Sequence, residues 1–186
     1  VEDWKYTDLR AFMRDAPPLA LKPEADQAAR ILEGSHLLAG LGMAGLTFVN
    51  GHLVGDTARL PAGVEVVPLG IALADGHRLL AHMGKVEVAR GNVALDLNTA
   101  FMSDGAVIDV TAAEAPAALH LRFVNGSDHP IATAPRVLVV DEAGAELTLV
   151  ETHEGPGGID YHVNSVVDLV VGEGARVAHV RVNGEG

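Results

Sequence analysis

Hydrophobic and polar positions change their period along this chain. Over residues 1–45 apolar side chains recur at helical spacing, in a short stretch at residues 9–13 and again over residues 24–41. From Leu46 onward, short apolar runs alternate with glycine-rich turns, which is typical of strands. The pattern predicts a small N-terminal helical region over residues 1–45 and a β-rich core over residues 46–186.

Local signals predict further elements inside the core. Asn50-Gly51 lies between two short apolar runs, as in a two-residue hairpin turn. The stretch LPAGVEVVPLG at residues 60–70 is typical of a loop, because proline and glycine interrupt it. Short helices are predicted at residues 77–83 and 95–102. The candidate N-caps of the second helix are Asp96 and Asn98.

Beyond residue 105 almost every run is strand-like, and acidic, glycine-containing corners join the runs, as in RVLVV-DEAG-AELTLVE. Gly-Ala steps at residues 105, 144 and 174 lie 39 and 30 residues apart, which indicates a degenerate repeat. Glycine suits such corners because a positive φ costs it little. Counted from each Ala, one strand face stays mostly apolar. Its members are Ile108, Val110, Leu147, Leu149 and Val177, with His179 as the exception. Periodicity alone fits both hairpins in a sandwich and rungs in a β-helix.

Composition narrows the function classes. The 186 residues suffice for one domain, with 48% hydrophobic and 4% aromatic residues. A formal net charge of −12 argues against nucleic acid and anionic membrane as partners. Without cysteine, the chain offers no thiol nucleophile and no thiolate metal ligand. No signal-peptide pattern opens the sequence, so we expect a soluble, cytoplasmic protein. The start at Val1 without Met suggests a piece of a longer protein.

Motifs for catalysis are not convincing. Gly40, Gly42 and Gly45 fit a dinucleotide-binding G-x-G-x-x-G pattern, but a helix precedes them and a strand follows, which reverses the order that pyrophosphate binding requires. No serine occupies a G-x-S-x-G elbow, and no Walker-type loop is present. We therefore predict no catalytic residues and no cofactor-binding residues, and we expect that the chain is not an enzyme.

One segment offers an alternative reading as a metal site. The stretch ETHEGPGGIDYH places Glu151 and His153 two residues apart, on one face of a strand, and its glycine loop could return His162 beside them. Glu154 and Asp160 lie in the same stretch. A solvated surface is the favoured interpretation, and the alternative is a metal-dependent β-fold enzyme or binding protein.

Two further features are ambiguous in the sequence. His179 is interpreted as a core or interface histidine that is bonded to a backbone group, with a functional role as the alternative. Trp4 and Tyr6 are interpreted as an anchor that holds a terminal arm on the domain, with a partner contact as the alternative.

Several segments together resemble the SufB/SufD family of iron–sulfur cluster assembly proteins, and most closely its SufD members. They are EDWKYTDL at 2–9, TFVNGHLV at 47–54, LPAGVEVVPL at 60–69, LNTAFMSDGAVIDV at 97–110, LTLVETHEG at 147–155 and GARVAHVRV at 174–182. The resemblance implies a mainly β fold. It would be a right-handed parallel β-helix, single-stranded and partial in this chain, preceded by the small helical region.

The resemblance also implies a function in iron–sulfur cluster assembly. This chain would be an accessory scaffold subunit that binds no cofactor itself, in a complex with a SufB-type scaffold and a SufC-type ATPase that binds ATP. The absence of cysteine agrees with the SufD branch. Partner contacts are expected mainly beyond residue 186, so no family site is assigned to a residue here. An open rung edge is expected to favour self-association.

Overall fold

The computed structural model describes residues 13–55, 57, 59–85 and 92–185. These residues form a mainly β structure with mixed sheets and a few short helices, which confirms the predicted fold class at that level. The predicted helical stretch at residues 9–13 lies outside the described residues except for Met13, and so do Trp4 and Tyr6. Within the described residues, no helix is both long and apolar enough to cross a membrane.

The helical segment at the start is shorter than predicted. Helix α1 spans Ala25–Glu33 and buries Ala28, and a 3₁₀ turn follows at Ala39–Leu41. The helix ends at Glu33, and the Gly34 amide bonds back to the Ile31 carbonyl, which closes a tighter last turn. The prediction of one helix over residues 24–41 is therefore correct only in its first half.

The predicted hairpin is confirmed. Strands β1 (Ala44–Val49) and β2 (His52–Val54) pair antiparallel. Asn50 and Gly51 form the turn with φ of 50° and 80°, as a two-residue hairpin requires.

Two elements lie where a loop was predicted. Strand β3 (Val64–Pro68) and helix α2 (Leu69–Asp75) occupy most of the LPAGVEVVPLG stretch and its continuation. The prediction was wrong because Pro68 lies at the junction of the two elements. It is the last residue of the strand and occupies the N-cap position of the helix, so it interrupts neither. The short helix predicted at residues 77–83 is a 3₁₀ helix at Arg78–His82.

Helix α3 spans Val93–Phe101 and confirms the predicted helix, but its cap differs. Asn92 is the N-cap, since its side-chain oxygen accepts from the amides of Ala94 and Leu95. Asp96 lies in the first turn, and Asn98 is fully buried inside the helix. Both were wrongly predicted as caps.

From residue 104 the described chain is almost entirely strands, as predicted. They are β4 (Asp104–Val110), β5 (Ala117–Val124), β6 (Ile131–Thr133), β7 (Pro135–Asp141), β8 (Glu146–Gly155), β9 (Tyr161–Val163), β10 (Val166–Val171) and β11 (Arg176–Glu185). The three sheets have the orders β11-β8-β5-β1-β2, β10-β7-β4-β3 and β6-β9.

The later strands pair in parallel with a constant shift along the sequence. Glu146 of β8 pairs with Arg176 of β11, and Ile131 of β6 pairs with Tyr161 of β9, a shift of 30 residues in each case. The pairs β5–β8 and β7–β10 have the same shift. From β5 onward, consecutive strands thus belong to different sheets, and strands β5 to β8 each pair with the strand one repeat later. The acidic corners join strands of different sheets, so they are not hairpins.

The Gly-Ala steps have two different structural roles. Gly144 and Gly174 lie in corners with φ of 72° and 70°, as predicted. Gly105 instead lies inside β4, where a Cβ atom would stand 1.7 Å from the carbonyl oxygen of Arg136 on β7. The prediction of a corner at Gly105 was wrong, because here glycine permits close strand approach rather than a turn.

The main core lies between the two larger sheets. Ile108 and Val110 of β4 pack there with Leu147 and Leu149 of β8, which confirms the predicted inward face. A second cluster covers the opposite face of β4 and β7 with residues of α2 and the following 3₁₀ helix. Beyond this core, the inward face of β8 carries polar side chains.

Candidate functional site

Strand β8 changes from apolar to polar along its inward face. Leu147 and Leu149 belong to the main core, and the next two inward positions are Glu151 and His153. These two side chains are 2% and 1% exposed, so the interpretation of this stretch as a solvated surface was wrong for Glu151 and His153, which form a buried pair of carboxylate and imidazole. Burial of such groups requires partners, because an unpaired charge is costly to desolvate.

Glu151 finds its partners on β8 and on the neighbouring strand β11. His153 Nε2 donates to Glu151 Oε1 at 2.6 Å, and His179 Nε2 donates to Oε2 at 2.9 Å. Arg181 Nε stands 3.6 Å from Oε1. The register explains this arrangement, since Arg181 pairs directly with Glu151 across the ladder. Both carboxylate oxygens are therefore engaged.

Opposing effects set the charge of Glu151. Burial by itself would raise the pKa of this carboxyl, but the hydrogen bond from His153, the charge of Arg181 and the bond from His179 bring the pKa below its usual value. Glu151 is therefore ionised at neutral pH. His179 has 31% of its side chain exposed, so the cluster reaches solvent on the β11 side.

An aromatic stack supports His153 from the other side. Its ring lies 4.7 Å from that of Phe123 on β5, nearly parallel at 9°, and Phe123 stacks on Phe48 of β1 at 4.8 Å. The three rings occupy one ladder of the first sheet. Stacking and the Glu151 bond together fix the orientation of the imidazole.

The opposite face of β8 ties the N-terminal region to the sheet. Glu154 accepts from Ser35 Oγ at 2.8 Å and from the amides of His36 and Leu37. Arg122 of β5 donates to Ser35 Oγ at 2.7 Å. Glu154, which was predicted as a solvated residue or a metal ligand, thus holds the chain segment that follows α1.

Another polar pair on this face is buried. His120 Nε2 lies 2.9 Å from Thr152 Oγ1. Burial lowers the pKa of His120, and the nearby Arg122 charge adds to the effect. His120 is therefore a neutral imidazole at neutral pH.

A second buried ionic network lies beneath α3. Arg136 of β7 is 1% exposed, and its Nε donates to Asp168 Oδ2 of β10 at 2.6 Å. Its Nη1 donates to Asn98 Oδ1 at 3.1 Å, and Asn98 Nδ2 donates to the carbonyls of Pro135 and Asn164. Asn98 therefore connects α3 to strand β7 and to the segment before β10, which explains its complete burial.

The alternative metal site is not formed. His162 lies on β9 opposite Ala132, in a different sheet from Glu151 and His153, and Asp160 precedes it in the connecting loop. In the part of the chain that the structure describes, no three His, Asp or Glu side chains are arranged to hold a metal ion. The glycine loop does not return His162 to Glu151, because Gly155 and Tyr161 pack against each other and β9 pairs with β6.

His179 differs from its prediction in its partner. The expectation was a bond to a backbone group, whereas the structure gives it the carboxylate of Glu151. The 30-residue shift is the sequence signal that could have found this contact, because it places Leu149 beside His179 and Glu151 beside Arg181. In the network around Arg136, the same shift places Asp168 two residues beyond the ladder partner of Arg136, whereas the contact with Asn98 on α3 has no such signal.

The glycine pattern at residues 40–45 has the order expected from the sequence. Gly40 lies in the 3₁₀ turn Ala39–Leu41, and Gly45 lies in strand β1 (Ala44–Val49). Pyrophosphate binding instead requires a strand before the glycines and a helix N-terminus after them.

The arrangement favours a structural role for the ionic groups described above. Glu151, Glu154 and Arg136 each bind groups of their own chain, and each joins elements that are distant in sequence. Glu151 and His153 could share a proton chemically, but the carboxylate oxygens are occupied by protein donors rather than directed into an open cleft.

Two comparisons connect this chain to known proteins. The family profile described as "SUF system FeS cluster assembly, SufBD core domain" matches residues 123–186, which include strands β6 to β11. A curated protein of Synechocystis sp., described as "Iron-sulfur cluster assembly SufBD family protein", is 30% identical over 97% of this chain. The chain spans 42% of the length of that relative.

Proposed function

Because the chain belongs to the SufB/SufD family of iron–sulfur cluster assembly proteins, we propose that it is part of a SufD-like accessory scaffold subunit. In this proposal the subunit acts in the cytoplasm, in a complex with a SufB-type scaffold and a SufC-type ATPase. The ATPase binds ATP, the complex handles the iron–sulfur cluster, and this chain performs no catalysis.

The fold proposed for this scaffold is a right-handed parallel β-helix, of which the chain contributes the first turns. The observation that supports it is the constant shift of 30 residues in four parallel strand pairs. These pairs are distributed over all three sheets. One repeat would form one turn, and consecutive strands would pass from one sheet to the next. Each of the three sheets ends with its last strand in the sequence, namely β9, β10 or β11.

The polar groups of the chain agree with a scaffold role. Glu151 links β8 to β11, and the Arg136–Asp168 ion pair links β7 to β10. Both links connect one repeat to the next. A scaffold that must keep its repeats in register gains specificity from such buried ionic contacts, because a shifted register would leave the charges unpaired.

Co-purification tests the proposed partners. The full-length protein, tagged and co-expressed with the SufB-type and SufC-type proteins of its organism, is expected to retain both through a salt wash. Retention of neither, while the SufB-type protein retains the ATPase in a parallel purification, would contradict the proposal. The 186-residue chain alone is expected not to retain the ATPase, since that contact is proposed to lie beyond residue 186.

A further inference from the structure

An N-terminal arm, residues 13–23, lies along the β core before α1 begins. The Ala132 amide donates to the Pro18 carbonyl and the Ala20 amide donates to the Ala132 carbonyl, both at 2.8 Å. These bonds add the arm to β6 as a short parallel strand centred on Leu19. The backbone contact covers only a few residues, so side-chain contacts must add to it.

His52 supplies such a contact from the hairpin. Its Nε2 lies 3.0 Å from the Ala20 carbonyl oxygen, and its Nδ1 lies 3.7 Å from Oδ2 of Asp104, the first residue of β4. The His52 side chain is 10% exposed. Gly51 fixes its position, since the turn packs so closely on Thr133 that a Cβ atom at residue 51 would lie 3.1 Å from it.

The two oxygens beside the His52 ring, the Ala20 carbonyl oxygen and Asp104 Oδ2, determine which protonation state of the ring they stabilise. A carbonyl oxygen only accepts hydrogen bonds, and an ionised carboxylate also only accepts. A neutral imidazole carries one N–H, so it can face only one of these two oxygens with a proton. The imidazolium can donate to the Ala20 carbonyl, and its positive charge also attracts the Asp104 carboxylate, whose Oδ2 lies 3.7 Å from Nδ1.

We propose that His52 is a protonation-dependent clasp that holds the N-terminal arm on the β core, and that deprotonation of His52 weakens this hold. In the neutral ring a bare nitrogen faces either the Ala20 carbonyl or the Asp104 carboxylate. Repulsion between these lone pairs weakens the link between arm, hairpin and β4.

Charges near the ring set the pH at which the clasp opens. The Asp104 carboxylate raises the pKa of His52 above its usual 6.5, against the effect of burial, and the Ala20 carbonyl raises it further. Lys22, at the end of the arm, has a small opposing effect. Burial would raise the pKa of Asp104, but His52 and the amides of Gly105 and Leu53 bring it below its usual 3.8. A raised histidine pKa means that the stabilisation is complete below pH 6.5 and is lost as the pH rises through the folded-state pKa.

Release of the arm would open an apolar surface. A cavity of about 310 Å³ lies between the arm, α3 and the paired strands β6 and β9. Met13, Pro17 and Leu19 line it from the arm, and Leu97 and Phe101 line it from α3. The clasp therefore holds one wall of this cavity in place.

Amide exchange measured by NMR, combined with a titration of the His52 ring signals, tests the clasp. The readout is the protection factor of the Ala20 amide, which is the exchange rate relative to an unfolded chain at the same pH. We expect it to fall as pH rises through the His52 titration, by up to about tenfold per pH unit because one proton is linked. The Val139 amide in the core ladder serves as the internal reference.

Three variants distinguish an effect of His52 protonation on the arm from a general loss of stability. Asp104→Asn is expected to lower the His52 pKa and to move the loss of Ala20 protection to lower pH by the same interval. His52→Gln is expected to give weak Ala20 protection that no longer changes across this range. His129→Gln removes a surface histidine paired with Asp128 at 2.7 Å and is expected to change nothing at Ala20. Ala20 protection in the unaltered protein that stays constant while His52 titrates would overturn the proposal, whether or not the variants fold.

Discussion

Burial distinguishes two ion pairs that join the same two strands. Glu151 is 2% exposed and bonds His153 and His179, whereas the side chains of Glu146 and Arg176 are 44% and 79% exposed and meet at 3.1 Å. Both carboxylates lie on β8 and both pairs reach β11. Solvent access determines how much each ion pair contributes to the free energy of unfolding, because water screens the charges of the exposed pair.

Replacement of Glu151 by Ala is expected to cost about 3–5 kcal/mol of unfolding free energy, since His153 would remain buried without its acceptor. The matched variant Glu146→Ala is expected to cost less than about 1 kcal/mol. Urea unfolding of both variants measures the difference. Equal losses would show that Glu151 does not stabilise the β8–β11 contact as described.

Asp141 presents the opposite case, a buried carboxyl without a partner. It is fully buried at the end of β7 between Val110 and Val171 on the ladder, and neither of its oxygens has a hydrogen-bond partner among the described residues. Burial raises its pKa. Folding therefore disfavours the ionised form of Asp141, which costs stability at neutral pH.

Asp141→Val is expected to raise the unfolding free energy at pH 7 by about 1–3 kcal/mol, the usual cost of an unsatisfied buried polar group. This gain should shrink as the pH falls through the raised folded-state pKa, because protonation removes the charge that is costly to bury. Thermal unfolding at several pH values provides the measurement. The exposed Asp160→Asn is the control and should have little effect. A destabilised Asp141→Val would indicate a partner that the described residues do not supply.

At the scale of elements, the sequence correctly predicted those turns and strand faces that depend only on a few neighbouring residues. The Asn50-Gly51 hairpin and the corners at Gly144 and Gly174 follow from backbone preferences of a few residues, and all three are found. The inward face of β8 was also predicted, because alternation needs only one strand.

Features that depend on distant residues were missed. The sequence around Gly105 resembles a corner, yet its glycine is required by the backbone of β7. Asn98 looked like a cap, although its partners lie on β7 and in the segment before β10. The pairing of Glu151 with His179 depends on a register that a single strand does not contain.

Gly105 lies where strands β4 and β7 approach each other closely. A Cβ atom there would overlap the Arg136 carbonyl, so Gly105→Ala must separate β4 from β7 and is expected to cost more than about 3 kcal/mol, above the usual range for overpacking. Gly157→Ala is the matched control, because a Cβ atom there meets nothing within 4 Å. Chemical denaturation compares the two variants. A Gly105→Ala protein as stable as the control would contradict the β4–β7 pairing.

At the scale of the whole molecule, each sheet ends in an edge strand from the last part of the chain, namely β9, β10 or β11. Unpaired backbone groups of such edges can bind the edge of another copy. Val171 and Val180 add apolar side chains to β10 and β11 and are 49% and 51% exposed. The 186-residue chain on its own should therefore self-associate through this end.

Light scattering across a range of concentrations is expected to show a mass that rises above that of the monomer. The double variant Val171→Lys and Val180→Lys should shift the protein toward the monomer, since lysine charges repel at a paired edge. Ile71→Lys, which alters a residue on α2 that is 54% exposed, should leave association unchanged. A monomer at high concentration would contradict the prediction.

The proposed function is a role of the full-length protein in iron–sulfur cluster assembly. The most direct measurement is the activity of a reporter iron–sulfur enzyme in extracts of cells depleted of this protein, before and after reconstitution with iron and sulfide. We predict that depletion lowers the activity before reconstitution, and that reconstitution restores it. An unchanged ratio of the two activities, with the protein verified as depleted, would contradict the claim.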